Sequence, residues 1–323
     1  MSAGVSVPQR TGVRLSIPHE GVLLGFLAIE IVVLSRLSPY FLTLNNLLGA
    51  SQFFVETGLV ALGMTLVIMT GGIDLSVGGG LALASVALGF SYHAGLPLML
   101  AIVLAIGVAT TGGLLNGLLT TRWSIHPLAI TIATGEVFRG IASAVSNERA
   151  VSSFPAWFNV FGQDQLGPIP DQLWIFAVAA VVVGIVLQQG RFGRYVQATG
   201  ISEDAARASG VPVRRVKTLV YVLTGLLVGI AAVIYTSRVS TARSDAGIGL
   251  ELEAIAAVVL GGASIFGGSG TVLGTVLGVL IIAFLQQGLL LIPTLDSNWI
   301  LVITGGVMLV AVFLNEFFRR GDR

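Results

Sequence analysis

Apolar runs of about 20 residues recur along the whole chain, and short stretches of Gly, Pro and charged residues separate them. A helical run of this length matches the thickness of the hydrocarbon core of a bilayer. Because no water is available there to satisfy exposed backbone groups, only helices and closed barrels cross it. Charged residues make up 10% of the chain, whereas a soluble domain has about 25%. The sequence therefore predicts an all-α, polytopic membrane protein.

The apolar runs predict about ten transmembrane helices, each needing roughly 20 residues. The third and eighth runs are short and flanked by glycine, which indicates broken or half-crossing helices. The predicted spans cover residues 20–37, 52–70, 75–92, 97–120, 127–146, 172–189, 217–238, 252–266, 271–291 and 298–317. The predicted organisation is an N-terminal tail at 1–19, a transmembrane domain at 20–318 and a C-terminal tail at 319–323.

Residues 190–217 are the longest hydrophilic stretch between two apolar regions, and they fix the predicted orientation. Only Glu203 and Asp204 oppose the positive charges of this loop. Short loops rich in Lys and Arg stay on the cytoplasmic side of a membrane. Most of the other basic residues then fall on that side, which predicts cytoplasmic termini. The basic residues assigned to the cytoplasm are Arg10, Arg14, Arg122, Arg191, Arg194, Arg207, Arg214, Arg215, Lys217, Arg319, Arg320 and Arg323.

The middle of this loop predicts a short helix that lies outside the bilayer. Ser202 can cap its first turn, two acidic residues favour that turn, and Gly210 with Pro212 ends it. Such a helix is either a docking element for a soluble partner or part of a loop that only sets the topology. The residues of interest are Glu203, Asp204, Ala205, Ala206 and Gly210.

Two glycine-interrupted elements, at residues 71–78 and 261–270, each follow one apolar run and precede another. Paired interruptions in the two halves of a transporter mark helices that break near the permeation path. We expect a role in the translocation path or its gates, although Asp74 is equally explained as a helix cap. The candidate residues are Gly72, Asp74, Ser76, Gly262, Ser264, Gly268 and Ser269.

Glu30, Glu136 and Arg139 are charged residues within predicted spans, where an unpaired charge costs about 3 kcal/mol or more. Glu136 and Arg139 are three residues apart, so they share a helix face and we expect them to neutralise each other. Glu30 has no local partner, which predicts that it faces another helix.

Several chemistries are excluded by the residues present. The chain has no cysteine, which removes disulfides, thiolate catalysis and cysteine-ligated metals. A phosphate-binding loop has glycine before its lysine, whereas Val216 precedes Lys217. The three histidines, His19, His93 and His126, lack metal-ligand spacing. We therefore predict a protein that is not an enzyme, has no cofactor or metal, and does not bind ATP or nucleic acid itself.

Three motifs carry a family resemblance: GGIDLSVG at 71–78, LEAIAAVVLGGASIFGGSGTVLG at 252–274, and the hydrophilic stretch at 190–217. They closely resemble the permease subunits of ribose-type sugar ABC importers, in order, over most of the chain. That family also includes permeases for other pentoses and hexoses, for rhamnose and for autoinducer-2. Residues 242–245 and 284–288 look somewhat like one of its autoinducer-2 permeases.

The resemblance implies an importer driven by ATP that a partner subunit binds. The family's coupling pattern, Glu-Ala-Ala…Gly, falls on Glu203, Ala205, Ala206 and Gly210, with Asp204 inserted. The implied partners are ABC ATPase subunits, a second permease that is identical or paralogous, and a periplasmic sugar-binding protein. The implied location is the bacterial inner membrane, and the implied fold has about ten helices per subunit.

Two other interpretations follow from the residues alone. An ion-coupled secondary transporter would use Glu30, Asp74, Glu136 and Arg139 as coupling groups, and its uptake would follow a proton or sodium gradient. A membrane scaffold that transports nothing would tolerate changes at both glycine-interrupted elements. Neither the residues nor the resemblance identifies the solute.

Overall fold

A computed structural model of the chain describes residues 19–123 and 125–321. The predicted tail at 1–18, with Arg10 and Arg14, lies outside the described residues, as does Arg323. Within them the chain forms twelve α-helices, one 3-10 helix and a two-stranded hairpin. The elements are α1 (His19–Leu37), α2 (Leu44–Met69), α3 (Val77–His93), α4 (Leu98–Arg122), α5 (Pro127–Ser146), the 3-10 helix (Ala156–Phe161), β1 (Gln165–Leu166), β2 (Ile169–Pro170), α6 (Asp171–Gln188), α7 (Arg191–Ile201), α8 (Glu203–Ala208), α9 (Val213–Val239), α10 (Leu250–Leu260), α11 (Val272–Leu290) and α12 (Ser297–Gly321).

The all-α prediction is confirmed, and five helices of the described residues are long and apolar enough to cross a membrane. These helices are α4, α5, α6, α9 and α11. Helix α2 is bent by 48°, and it makes a sixth if its two parts form one span. The third and eighth apolar runs were predicted to be short, and their helices α3 and α10 have 17 and 11 residues.

The centre of the bundle is formed by α3 and α9, which pack against each other and against α4. Helix α3 is buried nearly all round, as expected for a helix that is apolar on every face. Small residues bring α4 and α9 together, because a Cβ on Gly113 would overlap the carbonyl oxygen of Tyr221 and one on Gly117 would crowd Thr218. Close backbone approach of this kind is the usual result of paired GxxxG units in membrane helices.

Helices α2, α10 and α11 form a second packed group. The Thr65 hydroxyl of α2 lies 2.7 Å from the Thr275 hydroxyl of α11. Gly274 and Gly278 of α11 rest against the backbone of α10, where a side chain at either position would overlap the carbonyl oxygen of Gly261 or Ala257. Gly274 and Gly278, spaced as a GxxxG unit, therefore form the packing surface of α11 against α10.

Candidate functional site

The hydrophilic stretch folds into two helices, α7 and α8, and part of α9. The Ser202 hydroxyl caps α8 by accepting a hydrogen bond from the Ala205 amide at 3.3 Å. Gly210 has φ of +83°, a left-handed conformation that favours glycine and ends the helix. The predicted short helix is confirmed, whereas α7 was not predicted. The span that was predicted to begin at residue 217 begins earlier, at Val213.

Helix α8 presents one face to solvent and one to the bundle. The Asp204 side chain is 97% exposed, and Ala205 is exposed with it. Ala206 is buried and its carbonyl oxygen accepts the Val211 amide at 3.0 Å, so it anchors the helix. The surface offered to a partner is therefore the exposed face, and Ala206 lies on the opposite side of the helix.

One ion pair, between Glu203 and Lys217, joins α8 to the start of α9, and a second, between Glu203 and Arg207, lies within α8. The Glu203 carboxylate accepts Lys217 Nζ at 2.7 Å and Arg207 Nη2 at 2.9 Å. Both pairs are partly exposed, so each contributes only about 0–1 kcal/mol. The main consequence is geometric, because the Glu203–Lys217 pair fixes where α8 lies beside the start of α9.

The two glycine-interrupted elements meet each other at the end of the bundle that carries α7 and α8. The Gly268 amide donates to the Met69 carbonyl at 3.0 Å. Gly71, Gly267 and Gly268 have φ of +77°, +91° and +82°, which only glycine adopts readily. The paired elements predicted from the sequence are thus adjacent in the structure.

Gly200, in the last turn of α7, fits between the two elements. A Cβ at this position would overlap the Met69 carbonyl oxygen and the Gly268 amide nitrogen. A Cβ on Gly267 would lie 2.9 Å from both the Gly200 oxygen and the Gly71 nitrogen. We call this contact of Met69, Gly71, Gly200, Gly267 and Gly268 the glycine junction. Gly71, Gly200 and Gly267 were not among the predicted site residues, because nothing local in the sequence distinguishes their long-range packing.

Asp74 and Ser76 hold the first element in shape. One oxygen of the buried Asp74 carboxylate accepts the Ser76 amide at 2.9 Å and the Ser76 hydroxyl at 2.6 Å. The Asn116 side-chain amide donates to that hydroxyl at 2.7 Å. Asp74 therefore closes a turn that starts α3, which is the capping alternative. Gly72 packs beside this turn, and a Cβ there would lie 3.0 Å from the Tyr221 hydroxyl oxygen.

The second element is closed by its own backbone. The Ser264 amide donates to the Ser269 carbonyl at 2.9 Å, and the Gly267 amide donates to the Ser264 carbonyl at 2.8 Å. Ser264 is buried, whereas Ser269 is exposed. Gly262 has φ of +90° and packs against the His19 ring of α1. The element is a compact loop, and its Gly267 and Gly268 belong to the glycine junction.

The predicted pairing of Glu136 with Arg139 is wrong. Arg139 Nη1 instead donates to the carbonyl oxygens of Ser244 and Ala246, each at 3.4 Å. Glu136 lies on the exposed face of α5. The (i, i+3) spacing did not predict the partners of Arg139, because the fold brings carbonyl groups of the segment after α9 beside it. Glu30 is buried, and its carboxylate oxygens have no hydrogen-bond partner among the described residues.

A polar pocket lies between α2, α10 and α11, and sequence reasoning missed it. It has a volume of about 130 Å³ and contains Glu253, Thr57 and Gln286. The Thr57 hydroxyl donates to Glu253 Oε2 at 3.2 Å, and Gln286 Nε2 donates to Glu253 Oε1 at 3.5 Å. The available signal was Glu253 itself, a charged residue inside an otherwise apolar predicted span.

The bundle of apolar helices, with paired breaks that meet the end of α7, is that of a multi-pass membrane protein. Residues 45–312 match the family described as branched-chain amino acid transport system / permease component. The chain therefore belongs to this family, and the predicted class of transport permease is confirmed.

Individual relatives match along nearly the whole chain. The ribose import permease protein RbsC of Bacillus subtilis is 41% identical over 298 residues, covering 92% of each chain. The autoinducer 2 import system permease protein LsrD of Klebsiella pneumoniae is 36% identical over 310 residues, covering 94% of this chain and 92% of the relative. LsrD of Yersinia enterocolitica is 38% identical over 303 residues, covering 92% and 91%.

Proposed function

We propose that this chain is the permease subunit of an ATP-driven importer that moves ribose or a similar monosaccharide across the bacterial inner membrane. The observation that carries the proposal is the glycine junction. It joins the end of α7, one residue before the cap of α8, to both helix breaks of the bundle. A soluble partner that displaces α8 would also displace both helix breaks, because Gly200 contacts them through backbone atoms with no side chain in between.

The partners follow from that arrangement. An ABC ATPase subunit would dock on the exposed face of α8, where Asp204 and Ala205 lie. ATP binding closes the ATPase pair, and α8, which follows α7 directly, carries the closure to the glycine junction. A second permease completes the pathway, and a periplasmic binding protein delivers the solute. ATP can shift the inward–outward equilibrium only through its different affinity for the two states.

The solute class rests on relatives. The relative with 41% identity is named for ribose import, which favours a pentose-like sugar. Relatives at 36–38% identity are named for autoinducer 2 import, which makes that molecule the second candidate solute. A gradient-driven transporter is less well supported, because Glu136 faces outward and Arg139 is occupied by carbonyl groups.

The docking proposal is tested by purifying the detergent-solubilised permease with its ATPase. Ala205→Glu puts charge and bulk on the exposed face of α8, and Ala150→Glu makes the same change at an exposed alanine of the loop after α5. We expect the ATPase to co-purify with wild type and Ala150→Glu and to be lost from Ala205→Glu. Retention in all three would remove α8 as the docking site.

The energy source is tested in proteoliposomes with radiolabelled ribose and, separately, autoinducer 2. Uptake should require ATP with the ATPase and the binding protein, and it should persist when ionophores collapse proton and sodium gradients. Uptake that needs a gradient and no ATPase would replace this proposal with the ion-coupled transporter.

A further inference from the structure

We infer that the polar pocket is where the permease contacts the hydroxyl groups of its solute, with Glu253, Thr57 and Gln286 as the contacting residues. This inference rests on the proposed function, since it concerns a neutral, polyhydroxylated sugar. It places the contacting side chains between α2, α10 and α11, away from the glycine junction.

The pocket joins polar groups from three helices that are otherwise tightly packed. Thr57 comes from α2, Glu253 from α10 and Gln286 from α11. Gln287 also lines it, and its side-chain amide donates to Asn46 Oδ1 at 2.8 Å near the start of α2. The remaining walls are apolar, with Phe54 and Ile282 among them. A mostly apolar cavity with a few convergent polar groups is the usual form of a small-molecule site.

The hydrogen bonds inside the pocket are long. Thr57 and Gln286 reach the Glu253 carboxylate at 3.2 Å and 3.5 Å, whereas a typical protein hydrogen bond is about 2.7–3.0 Å. By contrast, the structural bonds of Asp74 and Ser76 are 2.6 Å and 2.9 Å. The pocket groups are therefore close enough to share a guest and too far apart to satisfy one another fully.

The chemistry of these groups fits a sugar. A carboxylate accepts hydrogen bonds from two hydroxyl groups, and a threonine hydroxyl or a glutamine amide can both donate and accept. A sugar that leaves water loses hydrogen bonds, so a dry apolar path would strongly oppose its passage. Three side chains replace part of the hydrogen bonds that the sugar made with water. Because the contacts are few, the sugar can also be released. Glu253 is one of two carboxylates in the first turn of the otherwise apolar α10, and a charged residue in an apolar helix of a membrane protein marks a functional site by default.

The position of the pocket fits a transport step. Thr57 lies twelve residues before Met69 on α2, which corresponds to about 18 Å of helix rise. Glu253 and Gly261 similarly lie at the start and just past the end of α10. Helix α2 thus runs from the pocket to the glycine junction, and the loop after α10 contributes Gly267 and Gly268 to it, so a movement at the junction can change the shape of the pocket.

The test uses single cysteines, because the chain has none and each variant then carries one thiol. Gln286→Cys and Thr57→Cys place a thiol in the pocket. Leu252→Cys, beside Glu253 on α10, is the matched control because Leu252 is 64% exposed on the outer surface. The full transporter, with ATPase and binding protein, is labelled in proteoliposomes with a charged thiol reagent, with and without D-ribose and with and without sodium ions.

We expect the pocket thiols to react faster than the control thiol, because a charged reagent needs water. D-ribose should slow labelling of the pocket thiols about tenfold under turnover and leave the control unchanged, which corresponds to roughly 1.4 kcal/mol of solute contact. Equal labelling with and without ribose would overturn the inference. Protection by sodium ions alone would also overturn it and would identify a cation site.

Failure of this inference can be told apart from failure of the proposed function. If the wild-type transporter shows no ATP-dependent uptake of ribose or autoinducer 2, the proposed function fails. If wild type takes up ribose, Glu253→Ala keeps the same uptake and the pocket thiols are unprotected, only the pocket assignment fails. Reduced uptake by Glu253→Ala, with normal co-purification of the ATPase, together with protection of the thiols supports it.

Discussion

The glycine junction and the polar pocket are separated by about 18 Å along α2 and have opposite construction. In the junction, Gly200 touches Met69 and Gly268 through backbone atoms, and a single methyl group would overlap both. In the pocket, Thr57 and Glu253 are separated by a long hydrogen bond and a cavity of about 130 Å³. Packed backbone transmits displacement, because it cannot be compressed. Open, polar space admits a guest.

This difference shows how a permease can transmit movement in one region and contact its solute in another. The junction is closed to a solute, since its backbone amides and carbonyls contact one another, as the Gly268 amide and the Met69 carbonyl do at 3.0 Å. The pocket side chains are joined only by long hydrogen bonds, which are poorly suited to transmit a displacement. Helices α2 and α10 connect them, and we propose that they convert a displacement at one end into a change of shape at the other.

The largest effect is expected when a side chain is added at Gly200. Gly200→Val should abolish ATP-dependent uptake, because its Cβ would overlap the Met69 carbonyl and force the two loops apart. The matched change Gly107→Val, at an exposed helical glycine of α4 with no atom within 4 Å of a built Cβ, should keep uptake. Uptake is measured with radiolabelled ribose, and ATPase co-purification verifies that each variant is folded.

A second prediction concerns the buried ion pair beside the pocket. Glu56, next to Thr57, accepts Arg238 Nε of α9 at 2.7 Å, and its side chain is only 4% exposed. Arg238→Met leaves this carboxylate buried without that partner, so we expect a loss of about 3 kcal/mol in the free energy of unfolding. Denaturant unfolding in detergent measures it. The double variant Glu56→Gln with Arg238→Met should recover part of the loss, and equal instability of the two would contradict the pairing.

Solute uptake should depend on the charge of the pocket rather than on its volume. Glu253→Gln keeps the shape and removes the charged acceptor, so uptake should fall about tenfold, which corresponds to roughly one charge-assisted hydrogen bond. Stimulation of the ATPase by the loaded binding protein should persist, because the junction is unchanged. Glu148→Gln, in the loop after α5, serves as control. A loss of ATPase stimulation in Glu253→Gln would show that the two regions are not separate.

The smallest effect is expected at the surface ion pair of α8. Lys217→Met removes the contact with Glu203, whose side chain is 41% exposed. The free energy of unfolding should change by about 0.5 kcal/mol or less, and uptake by about twofold at most. Higher salt should reduce the difference further. A loss of transport as complete as that of Gly200→Val would move the coupling from the backbone contacts to this pair.

The sequence predicted what depends on local rules. Ser202 and Gly210 mark the ends of α8 because capping and a left-handed glycine are local requirements. The helix breaks were also predicted, since glycine clusters interrupt apolar runs wherever they occur. The meeting of those breaks at Gly200 was not predicted, because it depends on packing between residues far apart in the chain.

Two charged residues show the same limit. Arg139 was expected to pair with Glu136 on its own helix, but the fold brings it to the carbonyl groups of Ser244 and Ala246. Glu253 was read as part of an apolar span. Only the arrangement of three helices places it beside Thr57 and Gln286. Local spacing cannot report contacts that tertiary packing creates.

The most direct test of the account is the response of the pocket to ATP. The labelling rate of Gln286→Cys is compared with and without ATP and vanadate, in the complete transporter, with Gly200 intact and with Gly200→Val. The account predicts that ATP changes the rate severalfold when Gly200 is intact, since one kcal/mol alters an equilibrium about fivefold. It predicts no change in Gly200→Val, although the ATPase remains bound. An equal response in both backgrounds would contradict the claim that the glycine junction connects the coupling helix to the pocket.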